Sequence, residues 1–371
     1  MTIDKDFDAK RSLAAINRVR SMVSGPRLAA ADRIAKIYNE YVPLERDEGL
    51  QKALLGSVAS VTTPITGKPD KRRIVAVVGR SGAGKTTALA KHISTIDAMK
   101  AYVDEDGVQV TPVLSIEAPS PCTPRLLAVA GLEALGHAPR DRIRENEAWL
   151  LFRRLLKVHK VMWVVIDEAQ NAIESASVRE ATIIGDAFKS LTQMPDWPVR
   201  LILAGVPPLA SFLARKQLYN RRTVVPFDTL DANGNNDLIR QVVTTVVVTH
   251  AGLKLDIDFD DIRNSDDDDR TYFLERLMHA CDAEFGSVVQ LVRAAVELAI
   301  LGNEEAVNIG HFKETYASFS GCRPSKNIFT AVNWQELEPA TALLREEDRA
   351  WEREQMVRKG KRVTKFGVRP Q

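Results

Sequence analysis

The stretch Gly79-Arg80-Ser81-Gly82-Ala83-Gly84-Lys85-Thr86 fits G-x-x-x-x-G-K-[ST] with no mismatch. Its surroundings decide the fold. Ile74-Val75-Ala76-Val77-Val78 before it is a continuous apolar run, as expected of a strand buried in a parallel sheet. Thr87-Ala88-Leu89-Ala90-Lys91-His92-Ile93 after it reads as a helix start. A strand, a glycine turn and a helix N-terminus bring backbone N–H groups and the positive end of a helix dipole to one point, which makes an anion site. In such a loop Gly79, Ser81, Gly82, Ala83 and Gly84 enclose the phosphates of a nucleoside triphosphate such as ATP. Lys85 supplies positive charge to the β- and γ-phosphates, Thr86 offers its hydroxyl to Mg²⁺, and Thr87 reaches toward the α-phosphate.

Outward from this loop, strand and helix patterns alternate from Ile74 to about Leu230. Val110–Ile116 reads as a strand whose proline, Pro112, places it near a sheet edge. Pro124–Leu135 and Glu145–His159 read as helices, Val161–Ile166 as an apolar strand, Arg179–Thr192 as a helix, and Val199–Ala204 as a further strand. The expected class is α/β, a parallel sheet flanked by helices. Before it, residues 1–61 form an N-terminal helical region, with Leu13, Ile16, Val19 and Val23 at helical spacing, and Thr62–Lys71 reads as a linker. The core is expected over 62–231. Beyond Asp231 strands disappear, and 232–322 reads as a small α-helical domain. Within it Asp237–His250 is open between helix and strand, Asp266–Asp269 is a solvated loop or helix start, and Tyr272–Ala283 and Val288–Leu301 are helices. Residues 323–371 change character: Glu336–Arg358 is charged and helical, and a basic tail follows.

The second chemical motif is Val164-Val165-Ile166-Asp167-Glu168, an apolar strand ending in two acids. Ligands of open parallel sheets gather at that strand end. Asp167 is expected to hold Mg²⁺ together with Thr86, and Glu168 to orient and polarise an attacking water. The plainer alternative is that both acids favour a helix start. Small GTPases and kinases usually lack the adjacent glutamate, whereas oligomeric switch ATPases have it. Arg221 and Arg222, after a short helix Leu209–Lys216, occupy the place where an AAA+ ATPase sends an arginine finger to a neighbour's γ-phosphate. Two exposed surface arginines are the alternative.

Composition sets the bounds. The 371 residues carry 45% hydrophobic and 27% charged side chains with a net charge of +2, an ordinary globular balance that leaves any nucleic-acid surface local. Cys122, Cys281 and Cys322 lie far apart with no metal spacing, which favours a reducing cytoplasm. The N-terminus does not read as a signal peptide, and apolar runs are strand-sized, so no membrane span is expected.

At this point the chain resembles the TniB/TnsC family of transposon AAA+ ATPases, relatives of phage MuB. The resemblance rests on the phosphate loop, on Ile166-Asp167-Glu168-Ala169-Gln170-Asn171, on Ile202–Gly205, on the Arg221-Arg222 pair and on Asn327-Ile328-Phe329-Thr330-Ala331-Val332-Asn333-Trp334. The helical lead-in to Tyr41-Val42-Pro43-Leu44 is similar too. It implies an AAA+ core with a small helical C-terminal lid. It also implies a bacterial cytoplasmic ATPase that assembles as a ring or helical filament on duplex DNA and recruits a DDE transposase. A TniQ-like targeting protein and the C-terminal segment, with Phe329 and Trp334 as anchors, would serve partner contact. Candidate DNA contacts are Thr123, Arg125 and Arg179. Two departures stand out. Val206 occupies the sensor position after the strand glycine and offers no hydrogen bond from its side chain. Arg293 sits late for a second sensor and is expected to be a structural or surface residue. Other AAA+ switches (a helicase loader or initiator) and a simple P-loop kinase are the alternatives; the Asp-Glu pair and the paired arginines disfavour the kinase.

Overall fold

A computed structural model describes residues 5–62, 73–140, 142–174, 178–194, 196–214, 218–230, 236–259 and 272–339; of 5–11, 173–174 and 178–179 only the backbone is described. The chain opens with α1 (Lys5–Ser21), α2 (Gly25–Asn39) and α3 (Arg46–Thr62). The alternating part runs β1 (Ile74–Gly79), α4 (Lys85–Thr95), a hairpin of β2 (Tyr102–Val103) and β3 (Gln109–Val110), β4 (Val113–Glu117), α5 (Pro124–Ala134) and α6 (Glu145–Val158). It continues with β5 (Trp163–Asp167), α7 (Asn171–Glu174), α8 (Val178–Thr192), β6 (Arg200–Gly205), α9 (Pro208–Leu213) and β7 (Arg222–Phe227). Then come α10 (Asn236–Thr244), β8 (Lys254–Asp256), α11 (Phe273–Ala280), α12 (Phe285–Leu301), β9 (Ala306–Asn308) and α13 (Ile309–Ser320). Two compact units result, one from Met1–Val23 and Pro43–Thr229, the other from Ser24–Val42 and Leu230–Gln371. The helices expected as one N-terminal region are thus shared, α3 belonging to the first unit and α2 to the second.

The first unit is built on a five-stranded sheet in the order β4-β5-β6-β1-β7, parallel throughout. Strands β1 and β6 are buried at every position, as continuous apolar runs between neighbours must be. Leu127, Leu132, Phe152, Leu156, Phe188 and Leu191 from α5, α6 and α8 close one core with Ile74, Ala76, Val164, Ile166, Leu201 and Leu203. α3 and α4 also pack on β1, and Leu50 and Leu54 of α3 are fully buried. Each such leucine contributes roughly 2 kcal/mol of transfer free energy.

Three expectations change here. The run Val110–Ile116 is two strands: Pro112 ends the hairpin strand β3, and β4 starts after it at the sheet edge, where Ser115 and Glu117 are exposed. The segment after Arg221, to which the sequence assigns no element, is a strand. Arg222 opens β7, whose β-branched Thr223-Val224-Val225 pairs with β1, and Pro226 is tolerated because β7 is an outer strand. Within the expected N-terminal helical region α1 forms, yet Leu13, Ile16, Val19 and Val23, read there at helical spacing, are exposed.

In the second unit the ambiguous Asp237–His250 is helical, α10 running on into a π-helical segment Thr245–His250. Ile239, Val242, Val243, Val246 and Val247 are all buried at helical spacing, so position outweighs the β preference of valine. Strands do not disappear: β8 and β9 pair in parallel, three residues each. Such short strands leave no readable period. The C-terminal segment is another correction. Phe329 is 6% and Trp334 7% exposed, Phe329 lying against Phe273, Phe312 and Tyr316. Arg276 donates to the carbonyls of Ile328 and Ala331 and lies 5.2 Å from the Trp334 ring. These aromatics are core, not free anchors. Residues 63–72, Asp266–Asp269 and everything from 340 onward, which takes in most of the expected helix Glu336–Arg358 and the basic tail after it, lie outside the described residues. Among those described, no helix is long and apolar enough to cross a membrane.

Candidate nucleotide site

The carboxyl ends of β1, β5 and β6 bring the predicted residues together. After β1 the chain turns through Gly82 (φ 81°) and Gly84 (φ 84°), left-handed positions that favour glycine, and Gly84 caps α4. Lys85, only 8% exposed, folds back so that Nζ donates to the carbonyls of Gly79 and Arg80 at 2.9 Å each. The ammonium is thereby held inside the glycine loop. Ser81, Thr86 and Thr87 are exposed on the same turn and Ala83 is buried beneath it.

From β5, Asp167 accepts a hydrogen bond from Thr86 Oγ1 at 2.7 Å through Oδ2, and from its neighbour's N–H, Glu168 N, at 2.9 Å through Oδ1. Two hard oxygens at contact distance, next to a phosphate-type loop, are donors of the kind Mg²⁺ takes when phosphates and water complete its octahedron. Among the described residues no cluster of three or more His, Cys, Asp or Glu side chains offers a rival metal site. Glu168 is exposed with φ 49°, an unusual conformation for a non-glycine residue.

Two residues escaped the sequence reading. Gln170, 6% exposed, donates through Nε2 to the Glu168 carboxylate, and its Oε1 accepts from Val206 N at 3.2 Å. Arg46, at the start of α3, donates to Ala83 O at 2.5 Å and stacks 4.2 Å over the Phe227 ring. No local pattern announces Arg46, although it follows Tyr41–Leu44 directly; its partner lies 37 residues away.

Arg221 and Arg222 sit at the other end of the strands. Arg222 pairs with Ile74 while Phe227 pairs with Gly79, which separates the arginines from their own loop by about 17 Å along β1. Arg222 donates to Ala210 O at 2.8 Å and lies 5.2 Å from the Tyr219 ring. The Gln193 amide, its oxygen turned inward, accepts from Arg221 at 2.9 and 3.1 Å. Of the DNA candidates, the Thr123 hydroxyl caps α5 by accepting from Leu126 N at 3.2 Å, a structural use. Arg125 is half-buried on the first turn of α5, and the side chain of Arg179 lies outside the described residues. Arg293, in the second unit, donates to Glu40 O and lies 5.7 Å from the Tyr38 ring; burial pulls its pKa below the usual arginine value. Burial also pushes the Cys122 thiol up to about 11 and the Cys281 thiol higher still, so neither supplies a thiolate at neutral pH.

The family model for an AAA domain (AAA_22) matches residues 68–213. The fold is similar to the Aeropyrum pernix ORC1 protein in complex with DNA, with TM-score 0.54 and 17% identity, covering 78% of this chain and 69% of that one. The Aeropyrum pernix ORC2 protein, in ADPNP–ADP complexes, gives 0.49 at 14% identity over 74% and 69%. Cdc6p from Pyrobaculum aerophilum gives 0.48 at 13% over 75% and 69%. At such identities the likeness is one of fold. No curated protein matches the chain. The first unit has the fold of an AAA+ P-loop core.

Proposed function

We propose that this chain is an ATP-hydrolysing switch that assembles on duplex DNA and regulates transposition. Lys85 and the loop N–H groups bind the triphosphate, and Thr86 and Asp167 would hold Mg²⁺, which when bound would supply positive charge beside the phosphates. Glu168 orients a water whose oxygen bonds to the γ-phosphorus as the bridging oxygen leaves with ADP; the water's proton passes through the Glu168 carboxylate to solvent. The observation that carries the reading is the 2.7 Å Thr86–Asp167 contact with Glu168 beside it. The arginines at the far strand end cannot serve their own loop, which favours their use by a neighbouring copy. Nucleotide occupancy then becomes a property of the interface: ATP favours the oligomer, and losing the γ-phosphate loosens it.

The transposition part rests on the resemblance at Asp167–Asn171 and Asn327–Trp334. It implies a bacterial cytoplasmic regulator that recruits a DDE transposase, with a TniQ-like protein as a further partner. A second reading, a helicase loader or initiator-type switch, is favoured by the fold likeness to an ORC1 protein solved with DNA. Electron microscopy with ATPγS and duplex DNA tests what both share: rings or filaments are expected, and a persistent monomer sinks the switch. Strand transfer by a co-purified DDE transposase separates the two, since only a regulator of transposition stimulates it. Glu168→Gln is expected to keep ATP bound and lock the assemblies; normal hydrolysis by that variant removes Glu168 from its role.

A further inference from the structure

Val206 leaves the sensor position without a polar side chain, yet the site is not without a polar link there. The amide of Gln170 spans the gap: Nε2 donates to the Glu168 carboxylate while Oε1 accepts from the backbone N–H of Val206 at 3.2 Å. The amide is nearly buried, at 6% exposure, so both its ends need partners. The chain also makes room for it. A Cβ on Gly205 would lie 2.6 Å from Gln170 Oε1 and 3.3 Å from Gln170 N, inside contact distance, so glycine at 205 is what admits the amide. The backbone reinforces the arrangement, with Ala169 N donating to Ala204 O at 2.8 Å across the same two strand ends.

We infer that Gln170 is a positioning residue for ATP hydrolysis, orienting the Glu168 carboxylate and tying it to the segment after β6 in place of a polar side chain at 206. The inference rests on the ATPase reading given above. Its chemistry is that of an amide with one donor and one acceptor committed in opposite directions. A shift of the Val206 backbone, at the strand end where the γ-phosphate of a loop-bound triphosphate is received, moves the amide and with it the carboxylate. Gln170 touches no phosphate in this role; it acts through Glu168.

The test is steady-state ATP hydrolysis by the full chain, with duplex DNA present, alongside binding of a fluorescent mant-ATP. Gln170→Ala is expected to lower kcat by about tenfold to a hundredfold, the usual cost of losing a group that orients a reacting one, while mant-ATP affinity stays within about twofold. Gly205→Ala is expected to reproduce that split by displacing the amide, and guards against a Gln170 variant that fails to fold. Adding Val206→Thr to Gln170→Ala supplies a hydroxyl near the lost amide and should recover turnover by about fivefold or more. Turnover of Gln170→Ala close to wild type overturns the inference while leaving the ATPase reading intact. So does a loss that appears as weaker mant-ATP binding, or no recovery in the double variant. Absence of hydrolysis in the wild type overturns both.

Discussion

The two ends of the same parallel strands use polar residues in opposite ways. At the carboxyl ends, Lys85, Thr86, Asp167, Glu168 and Gln170 bond to each other and to loop backbone. At the amino ends, polar groups are consumed by packing. Arg200, 4% exposed at the start of β6, donates through Nε to Ser60 Oγ at 2.7 Å and through Nη2 to Ser60 O. Trp163 Nε1, at the start of β5, donates to Ser57 Oγ at 3.0 Å. One side of α3 is thus fastened to the bottom of the sheet while its first residue, Arg46, reaches the loop at the top. Burial of a charged residue says nothing by itself about function; what matters is whether its partners are structural serines or a loop that opens on solvent.

Arg221 and Arg222 complicate that contrast, because they lie at the amino ends and are assigned a functional role in a neighbour's site. Replacing both by alanine is expected to lower turnover about a thousandfold at concentrations that give assemblies, the scale of a missing arginine finger, while mant-ATP binding holds. Turnover that survives the double substitution returns these arginines to the structural set. Lys85→Ala comes next. It removes the buried ammonium from the loop and should weaken ATP binding by roughly a hundredfold, at the upper end for a charge-assisted contact. Isothermal titration with ATP reads it directly, and unaltered affinity breaks the assignment of the upper end. Arg200→Met tests the lower end. It leaves Ser60 without its donor inside the protein and should cost about 2 to 3 kcal/mol in urea denaturation, with ATP affinity unchanged. A variant that keeps its stability but loses ATP binding would erase the contrast.

The contrast also explains what could be read in advance. The upper end is written locally: eight consecutive residues make the loop, and Asp167 and Glu168 close an apolar strand, so both the fold and most of the site follow from short spacing. Gln170 lay inside the quoted segment but gained its role only from Val206, 36 positions away. Arg46 was invisible for the same reason. The lower end is harder still, since Arg200 meets Ser60 across 140 positions and Trp163 meets Ser57 across 106. Strand β7 was missed because three β-branched residues beside a proline and two arginines give no period, and only pairing with β1 makes them a strand. Phe329 and Trp334 erred the other way, their large rings in a polar stretch reading as anchors when the second unit's own aromatics already cover them.

The smallest expected effect is at Trp163. Phenylalanine there keeps most of the ring's packing but removes the indole N–H, leaving the Ser57 hydroxyl buried in α3 without its donor. The expected loss is about 1 kcal/mol, the net worth of one neutral hydrogen bond. A double-mutant cycle with Ser57→Ala isolates it: if the pair interacts as the geometry requires, the second substitution should cost much less once the first is made. Because α3 joins this end of the sheet to the loop through Arg46, ATP affinity is the second readout. Unchanged affinity in Trp163→Phe means the helix transmits nothing from its fastened end to its loop end. A fall in affinity that tracks the lost stability would instead make α3 a mechanical link between the two ends of the strands.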